Sequence, residues 1–426
     1  MVLNYIWIGF FLIGFLVALI RTIGYYFRDF FAENFNVIFG TADLEVFSSL
    51  VNSTFEMAEL SIKIAIYLIG VMTLWLGLMK IGEKGGAVNG LSKIVRPFFI
   101  KLFPELPKNH PAFGSMLMNI CANMLGLDNA ATPLGLKAMK DLQENNTNQD
   151  KATNAQIMFI VLNTSGLTIL PISIMAFRAS EGAANPADIF IPILITTFFS
   201  TMAGLVAVSI YQKINLFNKT ILAYIGGISL IIGLFIWRIA TLPPEKIGVI
   251  LKFGGNLILF TVIILFLYLG IRKKINIYDI FIEGAKEGFE VAVKIIPFLV
   301  AMLVAIGVFR ASGALDFLTG GIGKLVALFG LNTDFVDALP TAFMKPLSGS
   351  GARGMMLDTF HVHGVDSFAG KLAATFQGST ETTFYTLAVY FGAVGIKHTR
   401  YTVTCGLIAD FTAIIAGIFV AYLFFG

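Results

Sequence analysis

Residues 347–354 of the chain read L-S-G-S-G-A-R-G, and residues 125–132 read L-G-L-D-N-A-A-T. Both stretches place small and polar residues in a chain that is 57% hydrophobic and only 13% charged. Lipid cannot satisfy the N–H and C=O groups of backbone that leaves helical geometry, so such backbone must be enclosed by protein or line a wet cavity. Pro133 and Pro346, beside the two stretches, each remove a donor from a helix. The two stretches therefore predict broken helices inside a membrane bundle.

The composition of the whole chain is that of a membrane protein. Its mean hydropathy is +0.82, and its charged fraction of 13% compares with roughly 25% in soluble domains. Several apolar runs approach the roughly 20 residues that a helix needs to cross the hydrocarbon layer: 5–26, 62–78, 157–176, 189–211, 221–240 and 257–271. The runs are continuously apolar rather than alternating, which favours helices over a closed β-barrel. We expect an all-α polytopic protein with about nine full spans in contact with membrane lipid.

Four pairs of motifs recur in the same order in the two halves of the chain. They are 55–58 with 289–292, 77–80 with 307–310, 125–132 with 347–354, and 163–166 with 377–380. We therefore divide the chain into an N-terminal transmembrane helix and loop (1–43), a first repeat (44–214), a two-helix transmembrane linker (215–278) and a second repeat (279–426). The first helix is expected to be retained rather than cleaved, because Arg21 lies inside it and no small-residue cleavage site follows.

The distribution of Lys and Arg indicates how the repeats are oriented. Lys213 and Lys219 flank one end of the linker hairpin and residues 272–274 flank the other, so both ends are expected in the cytoplasm. The first-repeat segment 80–151 is richer in Lys and Arg than its equivalent, 310–380. The two repeats are therefore predicted to be inverted, as in many secondary transporters. We expect them to lie in the bacterial cytoplasmic (inner) membrane.

Several other classes of protein are disfavoured. Gly349, Gly351 and Gly354 match the G-x-G-x-x-G spacing of a dinucleotide loop, but no strand pattern precedes them. The net charge of +4 comes from Lys and Arg at the ends of apolar runs, which does not suit a nucleic-acid binder. No nucleophile beside a base is visible, so we do not expect an enzyme. We expect no cofactor, apart from a coupling Na+ or H+.

Metal ligands are also sparse in the sequence. Cys121 and Cys405 have no C-x-x-C spacing, which argues against a disulfide framework or a zinc site. His361 and His363 have acidic residues nearby, but side chains at i and i+2 face apart on a helix, and Gly364 is typical of a helix end. An aqueous helix end is therefore the preferred interpretation of the two histidines, and a transition-metal site is the alternative.

Two further stretches, 160–168 and 376–383, carry amides and hydroxyls in apolar surroundings. Such groups suit a neutral, hydrogen-bonding solute, since its loss of water must be compensated by partners of fixed geometry. Hydrogen bonding between helices is the alternative explanation for a single such residue. The four polar stretches, paired by the repeat, favour a binding site. The candidate substrate-binding residues are Asn123, Asp128, Asn129, Thr132, Asn163, Ser165, Ser348, Ser350, Gln377, Ser379, Glu381 and Thr382.

Three carboxylates lie within or beside apolar segments, where an ionised group is costly and often functional. Asp128 or Glu381 could bind a coupling Na+ or H+, or a hydroxyl group of the solute. Asp410 could instead pair with a buried cation such as Arg310 or Arg353. The sequence leaves these alternatives open.

Longer runs resemble two known families. Spore maturation protein A is resembled by L-W-L-G-L-M-K-I-G-E-K (74–84), L-F-P-E-L-P-K-N-H-P-A (102–112) and A-N-M-L-G-L-D-N-A-A-T-P-L-G-L-K-A-M-K-D-L (122–142). Spore maturation protein B is resembled by M-K-P-L-S-G-S-G-A-R-G (344–354), H-G-V-D-S-F (363–368) and Q-G-S-T-E-T-T-F-Y-T-L-A-V-Y-F-G-A-V-G-I-K (377–397). The resemblance implies a fused form with two gate, or nucleoside-recognition, domains, which are also seen in concentrative nucleoside transporters and ferrous-iron transporters.

The resemblance and the polar breaks together predict a secondary transporter of a small polar solute, such as a nucleoside, that works by alternating access between the two gate repeats. One alternative is a metal-ion conduit, which would need soft or imidazole ligands in the core. Another is a non-transporting membrane scaffold for envelope or spore maturation. A homo-oligomer is compatible with each of these functions.

Overall fold

The computed structural model describes residues 2–107, 109–144 and 146–426, and the side chains of residues 2, 128–130 and 244–245 lie outside that description. Helices make up 79% of the chain, and the described residues form no strand. One isolated bridge joins Lys151 and His398. The predicted all-α fold is therefore confirmed.

The helices up to the end of the first repeat are α1 (Val2–Tyr26), α2 (Arg28–Phe35), α3 (Thr41–Leu44), α4 (Val46–Gly85), α5 (Ala87–Leu102), α6 (Ala112–Met124), α7 (Asp128–Gln143), α8 (Asn154–Thr164), α9 (Ile172–Ser180) and α10 (Phe190–Gln212). The linker helices are α11 (Lys219–Ala240) and α12 (Pro244–Arg272). The second repeat contains α13 (Ile277–Ala311), α14 (Ala314–Leu328), a 3-10 turn (Val336–Ala338), α15 (Leu339–Met344), α16 (Gly349–His363), α17 (Phe368–Ser379), α18 (Thr383–Gly392) and α19 (Thr402–Phe425).

The two halves contain the same order of helices, α4–α10 in the first and α13–α19 in the second. Each half runs through a long helix, a second helix, a hairpin of two helices, a helix broken into two short pieces, and a final long helix. The matched motifs fall at equivalent places in this order. Residues 125–132 and 347–354 lie at the starts of α7 and α16, and residues 163–166 and 377–380 lie at the ends of α8 and α17. The internal repeat expected from the sequence is present in the fold.

The first long helices of the two halves, α4 and α13, pack along each other in opposite directions. Gly307 contacts Met57 at one end of the pair, and Gly288 contacts Met72 farther along. A Cβ atom added at Gly288 would lie 2.5 Å from the carbonyl oxygen of Met72. Glycine therefore lets the two backbones approach closely.

The last long helices, α10 and α19, are antiparallel in the same way. The ring of Tyr211 stacks on the ring of Tyr401 at 4.4 Å between centroids. At the other end of the pair, a Cβ atom at Gly417 would lie 3.6 Å from the methyl group of Thr196. Because equivalent helices of the two halves run in opposite directions in both pairs, the repeats are inverted.

The tight contact at Gly288 leads to a stability prediction. Gly288→Val should force α4 and α13 apart, because the new side chain meets backbone atoms of Met72 and Thr73, and overpacking of this kind costs about 1–3 kcal/mol. Gly70→Val, on α4, is the matched control, since a Cβ atom there meets nothing within 4 Å. We expect a clearly lower melting temperature in detergent for Gly288→Val than for Gly70→Val. Equal melting temperatures would contradict the close packing of the two helices.

Seven helices in the described part of the chain are long and apolar enough to cross a membrane: α1, α4, α10, α11, α12, α13 and α19. Two further crossings are each built from two short helices. The start of α8 lies at the end of α10, where the side chain of Gln212 donates to the carbonyl of Asn154. The end of α9 lies at the start of α10, where Arg178 pairs with Asp188. Together, α8 and α9 therefore run the full length of α10. The predicted run 157–176 thus crosses as a broken helix rather than as one span. The pair α17 and α18 is its counterpart in the second half. The described residues therefore form seven full candidate spans rather than the predicted nine or so, and the difference corresponds to the two broken helices.

Candidate functional site

The two broken helices touch each other at their breaks. The backbone N–H of Glu381 donates to the carbonyl oxygen of Thr164 at 2.9 Å. Gly166 has a φ of +56°, and a Cβ atom there would lie 3.0 Å from the nitrogen of Glu381. Both the left-handed conformation and the close approach favour glycine. A backbone carbonyl freed by one break is therefore satisfied by an N–H group freed by the other.

The tips of the two helical hairpins pack against the breaks in equivalent ways. Ile169 N donates to Met124 O at 2.8 Å in the first half, and Phe384 N donates to Pro346 O at 3.0 Å in the second. Met124 ends α6, and Pro346 lies between α15 and α16. These contacts bring together the four polar stretches that the sequence singled out.

One polar cavity, which we call cavity A, has about 200 Å³ of volume open to water-sized molecules. It is lined by Asn123, Thr132, Asn163, Glu381, Tyr385, Thr386, Val389 and Tyr390. Asn123 Nδ2 donates to Asn163 Oδ1 at 2.8 Å, and Asn163 Nδ2 donates to the carbonyl of Phe159 at 2.9 Å. Both amides are thereby held in fixed orientations at the cavity wall.

A second polar cavity, cavity B, has about 130 Å³ of such volume. It is lined by Asn123, Gly126, Thr168, 170–174, Lys345, Gly349, Arg353, 377–378 and 380–382. Lys345 Nζ donates to the backbone carbonyl of Gln377 at 2.7 Å, and Gln377 Nε2 donates to Gly349 O at 3.3 Å. The other side-chain atom, Gln377 Oε1, is buried with no hydrogen-bond partner among the described atoms. An unpaired buried acceptor costs free energy that a donor on a bound solute would recover.

The two cavities are related by the inverted repeat. With the motifs aligned, Asn123 at the end of α6 corresponds to Lys345 after α15, and Asn163 corresponds to Gln377. In each pair the first side chain donates to the second residue. Asn123 and Glu381 line both cavities. The cavities therefore meet at the crossing of the broken helices.

The sequence model of the Gate family, described as nucleoside recognition, matches residues 65–181 and 292–397. These segments make up just over half of the chain, and each contains one hairpin and one broken helix. The chain belongs to the Gate family. The crossing is thus a contact between two Gate domains of opposite orientation.

Two proteins of Bacillus subtilis (strain 168) are similar to parts of this Gate protein. Spore maturation protein B is 48% identical over 157 residues, which are 37% of this chain and 86% of that protein. Spore maturation protein A is 40% identical over 154 residues, which are 36% of this chain and 79% of that protein. No solved structure matches the chain. The two matches are those expected of a fusion, and the family resemblance seen in the sequence motifs is confirmed.

Half of the candidate binding residues lie at the walls of the two Gate-domain cavities. These are Asn123, Thr132, Asn163, Gln377, Glu381 and Thr382. The side chains of Asp128 and Asn129 lie outside the described residues, and their backbone begins α7.

The candidate serines have local structural contacts instead. The hydroxyls of Ser165 and Ser379 each donate to the carbonyl three residues earlier at 3.2 Å, a common pattern for serine at a helix end. Ser348 accepts from Gly351 N at 3.0 Å and so caps the start of α16. The hydroxyls of Ser348 and Ser350 lie 3.2 Å apart. None of these four serines lines cavity A or cavity B.

The Gate cavities also contain residues that the sequence analysis did not select. Lys345 is the charged residue of the run 339–347, and an ionisable group at membrane depth is a signal that could have identified it. The guanidinium carbon of Arg353 lies 5.1 Å from the ring centre of Phe177, a cation–π contact between the two Gate domains. Tyr390 lines cavity A, but its sequence context did not indicate a binding residue, since an aromatic residue in an apolar run is usually part of the core.

The ionic alternatives considered for Asp410 and the histidines are resolved in part. Arg310 Nε lies 2.9 Å from the carboxylate of Asp358, so Arg310 pairs with Asp358 and not with Asp410. The carboxylate of Asp410 accepts a hydrogen bond from the hydroxyl of Thr383 at 2.7 Å. His363 Nδ1 lies 3.8 Å from the carboxylate of Asp337. In the described part of the chain, no group of three or more His, Cys, Asp or Glu residues is placed to hold a metal ion.

A buried ion-pair cluster, which we call the Arg178 clamp, joins the Gate domains at one end of the α10–α19 pair. Arg178 is fully buried, and its Nη2 lies 2.9 Å from Asp188 and 2.9 Å from Asp366. Its Nη1 donates to Val365 O at 2.7 Å. Ala184 N donates to the second oxygen of Asp366 at 2.8 Å. The clamp therefore ties the end of α9 to the α16–α17 loop.

The equivalent loops meet at the opposite end of the α10–α19 pair, in what we call the Asp150 clamp. The backbone N–H groups of Lys397 and His398 both donate to Asp150 O at 2.9 Å, and Ala152 N donates to His398 O at 3.0 Å. Arg400 Nη1 donates to Ala152 O at 3.0 Å. This clamp ties the α18–α19 loop to the α7–α8 loop. An exposed ion pair between Lys397 and Asp150 at 3.3 Å accompanies these backbone hydrogen bonds, in place of the buried charged cluster of the Arg178 clamp.

Glu181 follows α9 and gives the Arg178 end of the protein a pH dependence. Burial raises the pKa of Glu181 from 4.5 to about 7, so the folded protein holds a proton that the unfolded chain gives up between these values. Stability should therefore fall as pH rises through this window. We expect the melting temperature to fall more between about pH 5 and about pH 8 in the wild type than in Glu181→Gln. The same pH dependence in both proteins would contradict this assignment.

Proposed function

We propose that this protein is a secondary transporter of a small polar solute in the bacterial cytoplasmic membrane, with its binding site at the crossing of the two broken helices. One observation carries the proposal: two inverted Gate domains together line two polar cavities, and the cavities share Asn123 and Glu381. Discontinuous helices that meet at the interface of inverted repeats are typical of transporter binding sites.

The groups around the crossing favour a nucleoside-like solute. Amides at Asn163 and Gln377 can donate and accept, and the carboxylate of Glu381 can accept from hydroxyl groups. Tyr385 and Tyr390 line cavity A and offer aromatic faces to a planar base. A solute with several hydroxyls and a planar hydrogen-bonding ring matches this set. The description of the Gate family as nucleoside recognition points in the same direction.

Alternating access would follow from opening one clamp at a time. Both clamps are formed in the structure, and each cavity is smaller than the roughly 300 Å³ at the lower end of pockets for drug-sized ligands. We therefore expect one clamp to open for a solute to enter and the two Gate domains to rock about the crossing. The inverted repeat makes the two open states structural counterparts.

Uptake into proteoliposomes containing the purified full chain tests this proposal. Tritiated uridine and adenosine would be supplied with an H+ gradient in either direction, an inward Na+ gradient or no gradient. We expect saturable uptake, and Asn163→Ala and Gln377→Ala should each weaken it by roughly tenfold, because a lost hydrogen bond to a buried polar partner costs about 1–3 kcal/mol. Asn34→Ala is the control, since Asn34 is exposed and far from the cavities in the chain.

Two outcomes would count against the proposal in different ways. Wild-type uptake that Asn163→Ala and Gln377→Ala leave unchanged would move the site away from the crossing. Absence of uptake for both nucleosides, together with no rise in melting temperature on adding either one, would reject nucleoside transport, because a ligand that binds the folded state raises its stability.

A further inference from the structure

The strongest unexplained group outside the two cavities is the carboxylate of Asp410, in the middle of α19. The residue is 3% exposed, and Oδ2 accepts from the hydroxyl of Thr383 at 2.7 Å. Oδ1 is buried with no hydrogen-bond partner among the described atoms. The hydroxyl of Thr380 also interacts with this carboxylate. A buried carboxylate whose hydrogen-bond donors are neutral hydroxyls is costly in its ionised form. A proton, a water molecule or a cation bound at Oδ1 would stabilise this carboxylate.

A small third cavity lies against Asp410. It has about 10 Å³ of volume open to water-sized molecules, roughly enough for one water. Its lining residues are Ala342, Lys345, Pro346, Phe376, Ser379, Thr380, Asp410, Ala413 and Ile414. The polar groups at its wall include one ammonium, one carboxylate and two hydroxyls.

The small cavity shares a wall with cavity B. Lys345 and Thr380 line both, and Lys345 Nζ holds the carbonyl of Gln377 at 2.7 Å. A solute that enters cavity B and engages Gln377 therefore acts on the residue that also faces Asp410. This shared wall is a direct physical connection between solute binding and the buried carboxylate.

The two Gate domains differ at this position. In the first, the hydroxyl of Thr197 on α10 donates to the carbonyl of Gly166 at the break. In the second, Asp410 on α19 takes the corresponding place beside the break at Thr383. The site is therefore a feature of one half only.

We propose that Asp410 carries the proton that couples transport, and this inference rests on the proposed transport function. While Lys345 stays on the Gln377 carbonyl, Asp410 holds a proton. When solute engages Gln377, the ammonium of Lys345 turns to Asp410, the O–H bond of the carboxyl breaks, and the proton passes to water in the small cavity. The step involves no redox change, and the proton returns from the opposite side of the membrane.

The charged surroundings favour a proton over Na+. Lys345 faces Asp410 from the α15–α16 junction, and an ammonium at the wall opposes a second cation. The other elements packed against α19 near Asp410 present hydroxyls, from Ser200 on α10, Ser379 and Thr380 at the end of α17, and Thr383 on α18. On α19 itself, Cys405 is another titratable side chain near Asp410, and it is a buried free thiol. Glu381 lines cavities A and B rather than the small cavity.

One test reads the proton without any solute. Infrared difference spectra would be recorded for the full chain in nanodiscs across a pH titration. Because Glu181 also holds a proton in part of this range, the spectra are compared in a Glu181→Gln background. We expect a protonated-carboxyl band that titrates in Glu181→Gln alone and with Glu59→Gln, an exposed control on α4, and that is missing when Asp410→Asn is added. Asp410→Glu should restore such a band at a shifted position. Persistence of the whole band in a folded Asp410→Asn protein would overturn the proposal.

The second test measures coupling with tritiated uridine as the probe. Because solute binding releases the proton, the proton moves in the direction opposite to the solute. Coupling between two sites commonly amounts to about 5- to 150-fold, so an outward H+ gradient should stimulate wild-type uptake roughly tenfold and should not stimulate Asp410→Asn. Exchange of uridine without a gradient should persist in Asp410→Asn. Stimulation by Na+ instead of H+, lost in Asp410→Asn, would overturn the assignment to a proton. If uridine is not transported but the infrared band is lost in Asp410→Asn, the transport proposal fails and the proton site stands.

Discussion

Glu381→Gln is expected to abolish most solute uptake while leaving the fold intact. The backbone of Glu381 is fixed by its hydrogen bond to Thr164, so the substitution changes only the side chain that lines both cavities. A hydrogen bond from a solute hydroxyl to a carboxylate contributes about 1.5–3 kcal/mol. Because Glu381 lines both cavities, the solute should lose this bond whichever side of the membrane the site faces. We expect KM for uridine to rise at least roughly tenfold in proteoliposomes, with little change in melting temperature.

The matched control is Glu59→Gln, since Glu59 is exposed on α4 and pairs only with Lys63 among the described residues. It should keep the wild-type KM. A Glu381→Gln protein with unchanged KM and maximal rate would show that the carboxylate at the crossing does not contact the solute.

Arg178→Met is expected to have the largest effect on stability. It removes a fully buried cation and leaves the carboxylates of Asp188 and Asp366 without the guanidinium that joins them. Breaking one side of a buried ion pair costs about 3–5 kcal/mol, although Asp188 keeps Lys371 at 3.2 Å. We expect a large fall in melting temperature in detergent. Arg238→Met should change the melting temperature little, because Arg238 is exposed and its side chain bonds only Thr241 among the described residues.

The same variant should also change access to the cavities. With the Arg178 clamp weakened, cavity B should be open for more of the time, while the Asp150 clamp still closes the other end. A cysteine at Ser173, in cavity B, should then react faster with a thiol reagent in Arg178→Met, and a cysteine at Thr386, in cavity A, should not. Equal acceleration at both positions would indicate general loosening rather than the opening of one clamp.

The sequence was sufficient to predict the broken helices and the repeat, because each depends on local chemistry. Glycines and prolines clustered with amides in an apolar run indicate interrupted helix, and such backbone must be enclosed by protein or line a wet cavity. Their recurrence at 125–132 and 347–354, and at 163–166 and 377–380, paired the four stretches before any contact was known. The antiparallel packing of α4 with α13 agrees with the inversion that the Lys and Arg distribution indicated.

The clamps and the function of individual polar residues could not be predicted in this way. Arg178 and Asp366 are 188 residues apart in the chain, and a single sequence gives no sign of which distant charges pair. Ser348 and Ser350 looked like binding residues because they are polar and flank glycine, but the same chemistry makes Ser348 a helix cap. The position of Lys345 between two cavities depends on how the hairpin tip packs against Gln377.

The most direct test of the central claim, that the two Gate domains open the crossing alternately to the two sides of the membrane, is sided cysteine labelling. Ser173→Cys and Thr386→Cys would be made separately after Cys121 and Cys405, both fully buried, are replaced by alanine. Oriented vesicles would then be treated with a membrane-impermeant thiol reagent from one side or the other. The account predicts that Ser173→Cys reacts from one side, Thr386→Cys reacts from the opposite side, and uridine slows both reactions. Labelling of both positions from the same side, with no effect of uridine, would contradict it.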